Sequence, residues 1–227
     1  MIDAFINSLK ESPGGPLFNP WFDRDEKHDR TPDAPAIRRR QLTCYLEERV
    51  NTARYLFIAE AVGYQGGHFS GIAMTSERIL LGHQQKTYGI SPEQVFRGLE
   101  PERTSRPELF PKGLTEPTST LMWGALNDLD VDPFQVVLWN AVPWHPWNPK
   151  KGLLSNRTPR RAEIEAGLTR LRGFLDLFPE ASPIAVGRKC EGALTQLGVE
   201  HQCVRHPANG GAPAFRRQVA ELMSVEV

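Results

Sequence analysis

Residues 54–71 read RYLFIAEAVGYQGGHFSG, and this stretch decides the fold. Arg54 to Ala61 is a short apolar and aromatic run of the kind that forms a buried strand. It passes directly into a loop with glycines at 63, 66, 67 and 71. A glycine-rich turn between a strand and a helix lets the backbone approach a ligand closely. Neither familiar phosphate-binding version fits. No glycine pair has G-x-G spacing, and Gly66-x-x-x-x-Gly71 is followed by Ile72-Ala73 where a triphosphate loop needs Lys and then Ser or Thr. What remains is a loop carrying Glu60, Tyr64, Gln65, Phe69 and Met74, a set suited to sandwiching and hydrogen-bonding a planar ligand.

Outward from this stretch, three more segments read as strands: Val136 to Val142, Pro183 to Gly187 and His201 to Arg205. Helical spacing is found over Pro35 to Asn51, Thr75 to Gln85, Ser119 to Asp128, Thr158 to Phe178, Lys189 to Leu197 and Pro213 to Met223. Thr158-Pro159 offers an N-cap followed by proline at the first helical position, and Phe178-Pro179 a stop. Strands alternating with helices imply right-handed crossovers, and so an α/β fold: a three-layer α/β/α sandwich around a central four-stranded, mainly parallel sheet. Residues 1–34, rich in Pro, Gly and charge, are expected to form an irregular extension packed on a single domain spanning 35–227. Ligands in such sheets bind beyond the carboxyl ends of the strands. The segments following Glu60, Asn140, Gly187 and Arg205 are therefore the places to look.

Composition narrows the function classes. With 40% hydrophobic and 24% charged residues and no apolar run near the roughly 18 needed to span a bilayer, a membrane protein is excluded. The N-terminus lacks a secretion signal, which gives a cytoplasmic expectation. Cys44, Cys190 and Cys203 are too far apart for a cluster or disulfide framework, and His145, His201 and Cys203 match no common zinc spacing. No metal or other cofactor is expected. Net charge is zero, yet Ala141–Ala162 carries Lys150, Lys151, Arg157, Arg160 and Arg161 with no acid, and His201–Gln218 carries Arg205, Arg216 and Arg217 with none. Such stretches at one end of a sheet suit a phosphate backbone; the alternative is solvated faces balanced by nearby acids.

Two further loops carry chemistry. The second strand runs into Trp139-Asn140-Ala141-Val142-Pro143-Trp144-His145-Pro146-Trp147, where the Asn140 amide presents a donor and an acceptor that match the N3–H and O4 edge of uracil. The fourth runs into Arg205-His206-Pro207-Ala208-Asn209-Gly210-Gly211.

Over residues 54–222 these loops resemble the uracil-DNA glycosylase superfamily. Ala59-Glu60-Ala61-Val62-Gly63 stands where the iron-sulfur branch carries Gly-Glu-Ala-Pro-Gly. Asn140 is similar to the family's middle asparagine, and His206-Pro207-Ala208 to its terminal His-Pro-Ser/Ala motif. Gly71-Ile72-Ala73-Met74 is similar to its Gly-x-Pro-Phe segment, with methionine in place of the stacking ring. The cluster cysteines are missing, so the resemblance is to a cluster-free member. It implies that His206 stabilises the departing base anion and that Glu60 orients water or steadies the sugar cation. It also implies a base pocket of Asn140, Gly63, Tyr64, Gln65, Phe69 and Met74, and DNA contacts from Ser70, Ser76, His145, Arg205, Asn209 and Gly210. Gly63 replaces a tyrosine that excludes the thymine methyl in the most selective branch, and Asn209-Gly210-Gly211 offers little bulk as a wedge. The expected partner is DNA containing uracil or abasic sites, bound by a monomer in base excision repair. Two alternatives stay open: a non-hydrolytic binder of such DNA, and a small-molecule nucleoside hydrolase.

Overall fold

The computed structural model describes residues 1–224; the last three positions of the expected domain, 225–227, lie outside the described residues. Its centre is a four-stranded parallel sheet. In chain order the elements are α1 (Ile2–Ser8), β1 (Leu17–Phe18), α2 (Ala34–Glu47), β2 (Tyr55–Ala61), α3 (Gly67–Ser70), α4 (Glu77–Leu80), α5 (Gln85–Tyr88), α6 (Pro117–Asp128), β3 (Val136–Val142), β4 (His145–Pro146), α7 (Arg161–Leu175), β5 (Ser182–Val186), α8 (Arg188–Gln196), β6 (Gln202–Val204) and α9 (Ala212–Ser224). The sheet order is β3-β2-β5-β6, flanked by helices as a three-layer α/β/α arrangement.

From β2 the chain crosses to β3 on one side and later to β5 on the other, so the order reverses at β2 and opens a crevice beyond its carboxyl end. Register aligns Ala59 with Asn140, which sets Glu60 one residue beyond Asn140 at that end. Every residue of β3 is buried, as a strand covered on both faces requires. Trp139 is clamped by Phe174 of α7, stacked at 4.8 Å, and by Phe5 of α1 at 5.4 Å; its neighbour Asn140 consequently points the other way. β3 is an edge strand whose exposed polar groups are taken by α2 and the turn after it. The Tyr45 hydroxyl accepts from the Leu138 N–H at 2.8 Å, and Arg49 Nε donates to the Val136 carbonyl at 3.0 Å. Another strand is thereby denied that edge.

Several element boundaries differ from the sequence reading. The expected helix over Thr75–Gln85 is broken into α4 and α5, because Gly82 adopts a left-handed backbone (φ 73°) and ends the first turn. Helix α7 starts at Arg161 rather than beside Thr158: Glu163 reaches back to the Arg160 N–H at 2.7 Å, a carboxylate cap stronger than the Thr-Pro signal. The expected fourth strand shortens to Gln202–Val204. The first 34 residues are more regular than expected. They contain α1, which packs on α2 and α7, and β1, which pairs antiparallel with β4.

Candidate active site

Asn140, His206, Glu60, Gly63 and Met74 come from four separate loops or strand ends, and they line one cavity of about 200 Å³. That is smaller than the roughly 300–1,000 Å³ of drug-sized sites, and suits a single flat ring. Asn140 is buried, and its Oδ1 is sealed from solvent with no hydrogen-bond partner. An unpaired buried acceptor costs on the order of 1–3 kcal/mol, so it is retained where a ligand N–H completes it. Met74, on another wall, holds a left-handed backbone (φ 47°), an uncommon conformation for a residue with a side chain.

His206 follows β6 and is half-buried. Its Nδ1 accepts the Ala208 N–H at 3.1 Å, which fixes the ring proton on Nε2, where it is available to donate. Burial pushes its pKa down, assisted by the positive charges of Arg205 and Lys189, so the ring is neutral at physiological pH. A neutral N–H donor stabilises a developing anion without first surrendering a proton. The ring is seated by Gly187 (φ 90°), where a Cβ would lie 3.0 Å from the His206 Cβ.

Glu60 sits at the end of β2, and both its oxygens are paired with Lys189 Nζ, at 3.0 and 3.1 Å. Glu60 and His206 also form the near wall of a second cavity, of about 360 Å³, whose other walls carry Arg188, Lys189, Arg205 and Asn209. The ring-sized slot and the basic cleft thus share His206 and Glu60 between them. The positive stretches noticed in the sequence contribute only in part. Arg157 is paired with Glu163 (2.7 Å), Arg161 with Glu165 (2.8 Å) and Arg217 with Glu221 (3.7 Å), whereas Arg205 faces the cleft.

Several expected site residues lie elsewhere. Phe69 is buried against His68 (4.4 Å) and Phe110 (5.9 Å) and lines no wall of the slot, so it is not the stacking ring. Ser70 is buried, its hydroxyl bonded to the Gly66 and Ile72 carbonyls, and cannot touch DNA. Ser76 is likewise buried as the N-cap residue of α4. His145 is fully buried between His68 and the Ser155 carbonyl and is also withdrawn from any DNA surface. The loop after β2, which carries Phe69 and Ser70, folds inward beneath the N-terminal extension, with Trp21 Nε1 donating to the Gly71 carbonyl, and β1 of the same extension pairs with the strand that carries His145. Tyr64 and Gln65 stand beside the slot, not in it; the Tyr64 N–H donates to Asn156 Oδ1 and the Gln65 amide to the Thr115 carbonyl. Asn209 and Gly210 are exposed on the rim after His206.

Sequence reasoning missed Glu116 and Asn156, which also line the slot, and had Arg157 only as one of a stretch of bases. Glu116 has no motif around it. Its one signal is indirect: a Cβ at Gly66 would meet the Glu116 carboxyl.

No family model matches the sequence, and no curated protein matches it. Among solved structures, the crystal structure of wild-type SMUG2 from Pedobacter heparinus is similar in fold, with a TM-score of 0.63 over 99% of this chain and 97% of that one, at 15% identity. That likeness, running nearly the length of both chains, gives this protein the same overall fold.

Proposed function

We propose that this protein is a DNA glycosylase that draws uracil, or a related damaged base, out of DNA and hydrolyses its N-glycosidic bond. The observation that carries the reading is that Asn140 and His206, from loops far apart in the chain, line one ring-sized slot that shares His206 and Glu60 with a basic cleft. The resemblance of the three loop motifs to the uracil-DNA glycosylase superfamily and the fold shared with SMUG2 support it.

In this reading the base enters the slot, the sugar lies between Glu60 and His206, and the flanking phosphates lie along Arg188, Lys189 and Arg205. The unpaired Asn140 Oδ1 accepts the N3–H of uracil; cytosine, whose N3 is itself an acceptor, is refused. The bond from the sugar C1′ to the base N1 breaks with its electron pair leaving on the base, and the charge on O2 is met by the His206 Nε2–H. Water then adds to C1′, and the proton it gives up passes through solvent to the departed base anion. The Glu60 carboxylate orients that water and faces the sugar cation, with Lys189 holding it in place.

Oligonucleotides containing uracil, a thymine mismatch, hypoxanthine or ethenocytosine, treated with the protein and then with alkali, test the reading. Strand cleavage at uracil is expected; intact strands on all four overturn it. The engagement of both Glu60 oxygens by Lys189 favours a second reading, a non-hydrolytic binder of uracil or abasic DNA. A gel shift on abasic DNA without any cleavage would select it.

A further inference from the structure

The slot contains a polar group that neither the loop motifs nor the reading above employs. Glu116, the residue preceding α6, lines the slot, its carboxyl lying against Gly63 and Gly66. The residue is only part-buried as a whole, but its Oε2 is sealed from solvent and has no hydrogen-bond partner. Two side-chain oxygens, this one and Asn140 Oδ1, therefore border one small cavity with unspent hydrogen-bonding capacity. Buried polar atoms are almost always paired, so two unpaired ones around a single cavity mark a place built for a polar ligand.

We propose that Glu116 is a second base-reading group, bonding the seated base beside Asn140. As the acid it donates to a keto oxygen, and as the carboxylate it accepts from an amino or imino hydrogen, so its proton selects between keto and amino bases. This deepens the reading of the slot as a base site and rests on it.

The other charged groups facing the slot are accounted for. Glu60, from β2, is paired with Lys189. Arg157, from the loop before α7, is paired with Glu163. His206, after β6, is neutral, and the glycine loop contributes only Tyr64 nearby. Burial lifts the Glu116 pKa to about 7, the range in which its protonation changes. Both forms are thus present near neutral pH, and alkaline conditions remove the O–H donor.

The test measures kcat and KM on a single-stranded uracil oligonucleotide from pH 5.5 to 8.5 for the wild type, Glu116→Gln and Glu116→Ala, with melting curves to confirm that each is folded. For the wild type, KM is expected to rise roughly tenfold per pH unit above the Glu116 pKa, with kcat little changed. Glu116→Gln, which always carries a donor, should keep the low-pH KM across the range. Glu116→Ala should show a raised KM that does not change with pH. A Glu116→Gln profile that titrates like the wild type, or a Glu116→Ala KM equal to the wild type, overturns the proposal and leaves the glycosylase reading intact. Should no cleavage occur, the glycosylase reading fails on its own, and calorimetry with free uracil decides Glu116. Binding that weakens with pH in the wild type and not in Glu116→Gln supports it. Binding that is absent, or equally dependent on pH in both, overturns it.

Discussion

His68 and His145 place their Nδ1 atoms 3.0 Å apart, fully buried behind the slot. The chain continues at both ends: His68 Nε2 meets Asp25 Oδ2 at 3.2 Å, and His145 Nε2 meets the Ser155 carbonyl at 2.8 Å. Three distant segments are tied together there: the N-terminal extension, the loop after β2, and the loop carrying Asn156. His145, expected on the DNA, is instead buried in this tie between segments.

Burial pushes His68 down to about 4 and His145 to about 3, despite opposing hydrogen bonds to Asp25 and Ser155. Unfolded, both titrate near 6.5. Their folded values lie lower, so the neutral pair supports the fold above that pH and its contribution is lost as pH falls. For Asp25, burial works to raise the carboxyl, but bonds from His68 and His28 prevail and hold it well below the usual range. Its contribution disappears only in stronger acid, in the same direction. Melting temperature should be level from pH 8 to 7 and decline from about 6.5 downward. In His145→Gln the decline should be shallower, from a lower starting point. An acid-insensitive wild type between pH 6.5 and 4.5 would refute this.

Asn140 should reveal a trade between stability and binding. Its Oδ1 is an unpaired buried acceptor, so Asn140→Leu is expected to raise stability in urea by about 1 kcal/mol and abolish uracil binding. Asn140→Asp should weaken uracil and admit cytosine. Urea denaturation and binding of the two free bases check both.

Loss of the His206 donor should act on the chemical step. His206→Ala is expected to lower kcat on uracil DNA by on the order of a hundredfold with KM changed far less, and the variant should still shift DNA in a gel. A change confined to KM would remove His206 from the reaction and leave it as a wall.

Much of this was legible from the chain. The central strands, the parallel order and the three loops follow from apolar runs, glycines and the placement of Asn140 and His206, features local in sequence. What escaped was set by contacts between distant segments. Nothing near Phe69, Ser70 or His145 signals that the N-terminal extension closes over their loop and strand, and Glu116 is marked only by the missing side chain at Gly66. Helix α7 starts late because a carboxylate six residues beyond Arg157 engages both that arginine and the Arg160 amide.

That Gly66 relationship can be examined directly. An alanine Cβ would meet the Glu116 carboxyl, the movable end of a flexible side chain, while the backbone at φ −118°, ψ −107° disfavours any side chain. Gly66→Ala should therefore cost about 1–3 kcal/mol of stability and displace Glu116, giving the KM profile of Glu116→Ala. The double variant should add nothing to the KM effect of either alone.

DNA affinity should fall steeply with salt, and Arg205→Ala should reduce the slope by about one counterion, equally for uracil-containing and unmodified strands. Fluorescence anisotropy across a salt series reads this. An unchanged slope would take the phosphates out of that cleft.

The pairing of Leu17 with Pro146 has a bearing on how the molecule is made. During synthesis the roofing segment leaves the ribosome first, yet its seat appears about 130 residues later, on the order of ten seconds at ordinary elongation rates. Until then Phe18, Trp21 and the glycine loop beneath them have no completed partner surface. Chaperone dependence of this protein should accordingly concentrate in that interval and end once residue 146 emerges.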